Sequence, residues 1–231
     1  MHLFLKACLE QLNITADKSQ LDKWMKFMAL VLEANQRQNL TAITDEKEFV
    51  IKHIADSLSA SVAIASGPAR IMDVGAGAGF PSVPLCILYP EKTFTILDAT
   101  QKKAAFIRRV LEELEIENAV AVSGRAEELG RAAQWREQFD YALARAVAPM
   151  PVLAELCLPF VKVNGCFIAL KGADEDAEAV PYEKLGGRFE ECTELTLPES
   201  DYQRRIVVVR KVKQTSKAYP RLYAQIKRQP I

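Results

Sequence analysis

Hydrophobic residues are spaced in two ways along the chain. Before residue 66 they recur every three or four positions. Leu21, Trp24, Met25, Met28 and Leu32 fall on one face of a helix. Ser19 with Asp22 three residues on reads as a capping-box start for it. A second helix is expected from about Glu46 to Ala60, and Gly67-Pro68 breaks the pattern. From residue 69 the apolar positions gather into short runs separated by helical stretches. ARIMDV (69–74), TFTILD (93–98), AVAVSG (119–124), FDYALA (139–144) and GCFIALKG (165–172) read as strands. Phe80–Tyr89, Lys102–Leu114 and residues 150–160 read as helices, the second with Ala105, Phe106, Val110, Leu111 and Leu114 inward. Such alternation predicts a doubly wound α/β fold, a mostly parallel sheet covered on both faces. FEECTELTL (189–197) and RRIVVVRKV (204–212) lie too close together for a crossover helix, so an antiparallel hairpin should end the sheet. The organisation expected is a helical extension over 1–66, an α/β domain over 67–212 and a basic tail over 213–231.

Composition narrows the class. The 231 residues are 49% hydrophobic and 26% charged, which suits one domain with an appendage and excludes disorder and coiled coil. Lys+Arg and Asp+Glu are both 30, so no global field attracts nucleic acid. The charge is nevertheless segregated. Residues 172–201 carry ten acids against Lys184 and Arg188. Residues 204–231 carry Arg204, Arg205, Arg210, Lys211, Lys213, Lys217, Arg221, Lys227 and Arg228 with no acid. Such an end is either a solvated tail or, with Tyr219 and Tyr223 among the cations, a surface for RNA that leaves any cofactor site alone. Five dispersed cysteines and two histidines make a disulfide framework or a metal site improbable. No secretory signal and no membrane-spanning run is visible, so a cytoplasmic protein is expected.

The segment Asp73-Val-Gly-Ala-Gly-Ala-Gly-Phe80 follows the first strand and precedes a helix. Gly75, Gly77 and Gly79 fit a sharp turn that a ligand approaches closely. The spacing is GxGxG, not the GxGxxG of dinucleotide binders. With an acid two residues ahead it resembles motif I of class I S-adenosylmethionine-dependent methyltransferases; a ligand-free glycine turn is the alternative. Asp98 ends the second strand, where an acid can hold ribose hydroxyls or cap the next helix. Arg145 ends the fourth strand, on the side where ligands collect, and could equally be a structural ion pair. His53 and Asp56 share a helix face; closing over a ligand and packing the helices onto the sheet fit them equally well. Residues 144–151 read ARAVAPMP, without the motif of amino-group methyltransferases, and Cys157 sits in an apolar helix and reads as core.

Seven segments in order, NLTAI (39–43), HIADSL (53–58), DVGAGAGFPSVPL (73–85), LDATQKK (97–103), GRAEEL (124–129), FDYALARAVA (139–148) and ALKG (169–172), resemble the bacterial glucose-inhibited division protein B family. The resemblance implies a class I, Rossmann-like methyltransferase fold and transfer of a methyl group from S-adenosylmethionine to guanine N7 in 16S ribosomal RNA (G527, in the 530 loop). It further implies that Gly75 and Phe80 line the cofactor pocket above a floor shaped by Gly77 and Gly79. Asp98 would hold the ribose, Ala126 and Glu127 would flank the adenine, and Arg145 would stand by the methyl group and the incoming base. The partner would be 16S RNA or the small-subunit particle, with no membrane and no metal. Three positions depart from the family: Ser82 replaces a usual glycine and Ala99-Thr100 a usual Ser-Leu. A small-molecule or protein methyltransferase and a non-catalytic RNA-binding assembly factor are the rival readings.

Overall fold

The computed structural model describes residues 1–172 and 177–231. Three of the acids of the 172–201 stretch, Asp174, Glu175 and Asp176, lie outside the described residues.

Helices α1 (His2–Gln11) and α2 (Lys18–Gln38) precede a continuous helical run: α3 (Glu46–Phe49), a π-helical segment (Val50–Ala55), α4 (Asp56–Leu58) and a 3-10 turn (Ser59–Ala63). The cap of α2 is Asp17, not Ser19. Asp17 accepts from the Gln20 amide at 2.8 Å while the Gln20 side chain accepts from the Asp17 amide at 3.0 Å. The reciprocal pair satisfies two free helix-end donors at once, which a serine two residues later does not. The expected second helix is present but changes from α to π bonding at Val50 and ends at Ala63.

Strands β1 (Arg70–Val74), β2 (Thr93–Asp98), β3 (Ala119–Ser123), β4 (Phe139–Arg145), β5 (Val161–Lys171), β6 (Gly187–Thr196) and β7 (Gln203–Lys211) form one sheet in the order β3-β2-β1-β4-β5-β7-β6. The first five are mutually parallel; β7 runs antiparallel to both β5 and β6. The hairpin is therefore folded into the sheet, with its second strand innermost. Helices α5 (Ser82–Leu88), α6 (Gln101–Glu113), a short α7 (Ala126–Leu129) and α8 (Met150–Cys157) connect the strands. In α6 the inward face is Ala104, Phe106, Ile107, Val110 and Leu111, with Leu114 buried just beyond; of the expected positions only Ala105 is exposed, its place on the stripe taken by Ala104.

Alternation along the strands makes two cores. Ile71, Leu143, Ile168 and Ile206 face the N-terminal helices, together with Trp24, Phe27 and Phe49. Met72, Ala142, Phe167 and Val207 face α8. Trp24 also donates through Nε1 to the Pro84 carbonyl at 3.1 Å, tying α2 to α5.

Residues 212–231 return across the α8 face and end in α9 (Tyr223–Arg228). Arg136 donates to the carbonyls of Thr215 (2.6 Å) and Tyr219 (2.9 Å), and Arg131 to that of Pro220 (2.7 Å). Arg221 binds the fully buried Glu155 through its amide (2.7 Å) and its guanidinium (2.6 Å). Lys211, fully buried, donates to Leu158 O and Thr215 Oγ1, and burial pulls its ammonium down to about 8. Ile226 is buried beside α8.

Candidate active site

The strand order reverses between β1 and β4, and ligands of such sheets bind at the carboxyl ends of the strands flanking that point. Two cavities lie there. They meet at residues 145–147, since Arg145 and Ala146 line one and Val147 the other.

The first is a slot of about 170 Å³. Val74, Leu97, Val147 and Leu156 make it apolar, and the Gly75, Ala126 and Glu127 positions border it. The glycine turn shapes its entrance. Gly75, Gly77 and Gly79 have φ of +79°, +61° and +102°, a region that side chains disfavour. A Cβ on Gly75 would stand 2.7 Å from Val147 Cγ2, whereas one on Gly77 would enter open space. Asp98 is buried beneath this turn. One carboxylate oxygen accepts from the Gly77 amide at 2.9 Å and the other from Thr100 at 2.7 Å. Glu127 is buried and accepts from Arg125 Nε at 3.0 Å.

The second cavity, about 390 Å³, is basic. Lys52, Arg145, Lys171 and Arg204 line it with Asp56 and His53. Asp56 is 3% exposed and divides its oxygens between two arginines: Oδ2 accepts from Arg145 at 2.9 Å and Oδ1 from Arg204 at 2.8 Å. The Arg145 guanidinium also lies 4.8 Å from the Phe80 ring centroid and donates to Lys52 O at 3.0 Å. Phe80 stacks on His53, with centroids 4.5 Å apart, and touches Phe27 and Phe49. Burial, then the charge of Arg145, lowers His53 to about 3, so the ring is neutral. Its Nδ1 faces Arg145 at 3.2 Å and its Nε2 faces Thr41 Oγ1 at 2.7 Å. The network therefore assigns an acceptor at Nδ1 and the proton to Nε2. Beneath both cavities Asp73 is wholly buried. Oδ2 accepts from the Ser82 amide at 3.3 Å, whereas Oδ1 and Ser82 Oγ have no hydrogen-bond partner. Burial pushes the Asp73 carboxyl up to about 7.

The structure thus brings together Gly75, Ala126 and Glu127 at the slot and sets Arg145 at the basic cavity. Phe80 does not line either cavity; it is 4% exposed and forms the platform under Arg145. Sequence reasoning missed the cavity cations Lys52 and Lys171, and two contributors of another kind. Ala146 takes φ +54°, which turns Arg145 and Val147 into different cavities, and alanine carries no signal for that conformation. Tyr223 lines the slot from α9. The basic end, expected to stand apart from any cofactor site, thus contributes one residue of α9 to the slot wall. Of the nine cations in 204–231, Arg204, Arg205, Arg210, Lys211 and Arg221 each pair with a carboxylate of the same chain. Lys213, Lys217, Lys227 and Arg228 are exposed.

A family model described as rRNA small subunit methyltransferase G (GidB) matches residues 20–208. The chain belongs to this family. Relatives named ribosomal RNA small subunit methyltransferase G include one from Acetivibrio thermocellus, 42% identical over 95% of this chain and 92% of its own. Another, from Leuconostoc citreum, is 41% identical over 97% of each. Solved structures of similar fold include an S-adenosylmethionine-dependent methyltransferase from Aquifex aeolicus (TM-score 0.53, 13% identity, 71% of this chain and 93% of that one). A second is TYW2 of M. jannaschii in complex with AdoMet (TM-score 0.54, 12% identity, 74% and 80%). These show the class I methyltransferase fold. No helix among the described residues is long and apolar enough to cross a membrane, and no group of three potential metal ligands is found among them.

Proposed function

We propose that the chain transfers a methyl group from S-adenosylmethionine to N7 of a guanine in 16S rRNA, G527 of the 530 loop, in the cytoplasm. The observation that carries this is the junction of an apolar slot with a basic cavity at the residue pair Arg145 and Val147, on the carboxyl side of β4. The residues present fit the cofactor. The open space above Gly77 admits a ligand against the backbone, the slot is apolar enough for adenine, and Asp98 retains lone pairs for hydroxyl groups. When bound, S-adenosylmethionine supplies an electrophilic methyl group.

What the protein adds is alignment. Holding two reactants in near-attack geometry is worth about 7–11 kcal/mol. Asp56, His53 and Phe80 hold Arg145 on three sides, so its planar cation is fixed in place and suited to donate to guanine O6, which leaves the N7 lone pair free. Lys52, Lys171 and Arg204 give the cavity the charge to seat phosphates, and Lys213, Lys217, Lys227 and Arg228 are exposed cations elsewhere on the surface. N7 has a lone pair and no proton, so no general base is needed. The neutral His53 fits that: both its nitrogens are engaged within the protein. Mass spectrometry of nucleosides from 16S rRNA, with and without the protein, tests reaction, substrate and position together. A 7-methylguanosine at G527 that depends on the protein is expected; an unchanged nucleoside profile overturns the proposal. Single-turnover transfer should be nearly flat from mildly acidic to mildly basic pH, and a log-linear rise would reveal an essential base.

A further inference from the structure

We infer that Tyr223, on the C-terminal α9, is a cofactor-binding residue that closes the outer side of the adenine slot. The inference deepens the reading above and rests on its cofactor assignment.

Every other side of the slot comes from the α/β core: β1, β2 and the residues just after them, the turn after β3, α7, the residues after β4 and Leu156 of α8. Tyr223 alone arrives from the end of the chain. Its ring is partly buried, packs against the α8 core, and carries the Arg125 guanidinium 4.8 Å from its centroid. Arg125 in turn binds Glu127, so Tyr223, Arg125 and Glu127 form one linked wall. Aromatic faces are sequence-tolerant platforms for nucleobases, and here one borders a slot whose apolar lining is otherwise aliphatic.

The approach of Tyr223 is held firmly. The buried Ile226 is one turn further along α9, and Arg221 is fixed to Glu155 two residues before it. Arg131 and Arg136 hold the preceding carbonyls. Four side chains that touch no ligand thus hold a tyrosine at the slot's edge. Simple packing of a chain end would need no aromatic ring at that position, because Ile226 already supplies the buried anchor.

The test is calorimetric binding of S-adenosylhomocysteine and of 5′-methylthioadenosine, which share the adenosine and differ in the amino-acid part. The variants are Tyr223→Ala and Tyr223→Phe. The expected result is that Tyr223→Ala weakens both ligands by a similar factor, about tenfold or more, from the scale of base–aromatic stacking. Tyr223→Phe should stay within about twofold of wild type, since the ring face is kept. Where Tyr223→Ala lowers the thermal midpoint, Tyr223→Leu, which keeps the apolar packing and removes the aromatic face, replaces it and should show the same loss. Wild-type binding with either small variant unchanged, or a loss confined to S-adenosylhomocysteine, overturns the inference alone. A wild-type chain that binds neither ligand overturns the cofactor reading and the inference with it.

Discussion

Asp73 and His53 both feel the charge of Arg145 and are shifted in opposite senses. The Asp73 carboxyl, at about 7 against an ordinary 3.8, binds its proton more tightly in the folded chain. Its contribution to stability is complete below about pH 4 and is lost as the pH rises through 7. His53, lowered from 6.5 to about 3, binds its proton less tightly when folded. Its contribution is complete above about 6.5 and is lost as the pH falls through 3. Between those limits each changes stability by up to about 1.4 kcal/mol per pH unit, with opposite sign, so they offset one another. Replacing Asp73 by Asn should therefore make stability climb more steeply with pH between about 4 and 6.5 than in wild type, and His53→Gln should do the reverse. Urea titrations near the two ends of that window measure the slopes, and parallel curves for Asp73→Asn and wild type would contradict the account. At this scale the glycine turn and Asp98 were legible, because positive φ and a strand-end acid leave marks in composition. The platform role of Phe80 was not, since a phenylalanine beside a glycine turn reads alike as lining and as support.

At the scale of elements, Asp56 is the tie between α4, β4 and β7: its two oxygens hold Arg145 at the end of one strand and Arg204 near the start of another. Removing it leaves two guanidiniums facing each other in a largely buried place. Asp56→Ala should cost about 3–5 kcal/mol, the scale of breaking a buried pair, and should slow methyl transfer by loosening Arg145. Arg204→Ala should cost less, because Arg145 and Asp56 still satisfy each other. Chemical denaturation of the two variants, run beside single-turnover rates, separates them; equal losses would mean that Asp56 does not unite the pair. The strands were legible because a buried parallel strand is a continuous apolar run bounded by turns. The change from α to π bonding at Val50 was not, since both helices present the same residues at nearly the same spacing. DKSQLD offers two acids and a serine for the start of α2, and only the reciprocal Asp17–Gln20 geometry decides among them.

For the molecule as a whole, the basic chain end is part of the fold. Residues 204–231 read as a solvated tail or an RNA surface because cations without acids nearby in sequence look unpaired. Of their partners, Glu190 and Glu194 lie across the hairpin on β6, but Glu137 and Glu155 come from distant segments, which no local pattern reveals. Arg221→Ala should destabilise the protein by about 3 kcal/mol, since it takes the guanidinium from the wholly buried Glu155 and leaves it only the backbone amide of position 221. The double variant with Glu155→Gln should recover part of that loss, because no uncompensated charge remains. Melting curves in urea provide the comparison, and a double variant weaker than the single would contradict it. Deleting 213–231 should remove both this anchor and one wall of the slot. It is therefore expected to abolish S-adenosylhomocysteine binding in calorimetry as well as to weaken binding to RNA.

The π segment Val50–Ala55 makes the protein sensitive to a change in length more than to a change in composition. Such a segment bonds i to i+5 and in effect accommodates one residue more than an α-helix would. Losing that residue would restore regular i to i+4 bonding and improve the helix taken alone. It would also rotate everything before the deletion by about 100° relative to everything after it. Phe49, against Phe80, and Asp56, under Arg145, lie on opposite sides of the segment, so a shortened run can seat one of them and not both. A single-residue deletion at Ile51 should thus raise or preserve helical circular dichroism while lowering the thermal midpoint, whereas Ile51→Ala, at the same position, should disturb neither seat.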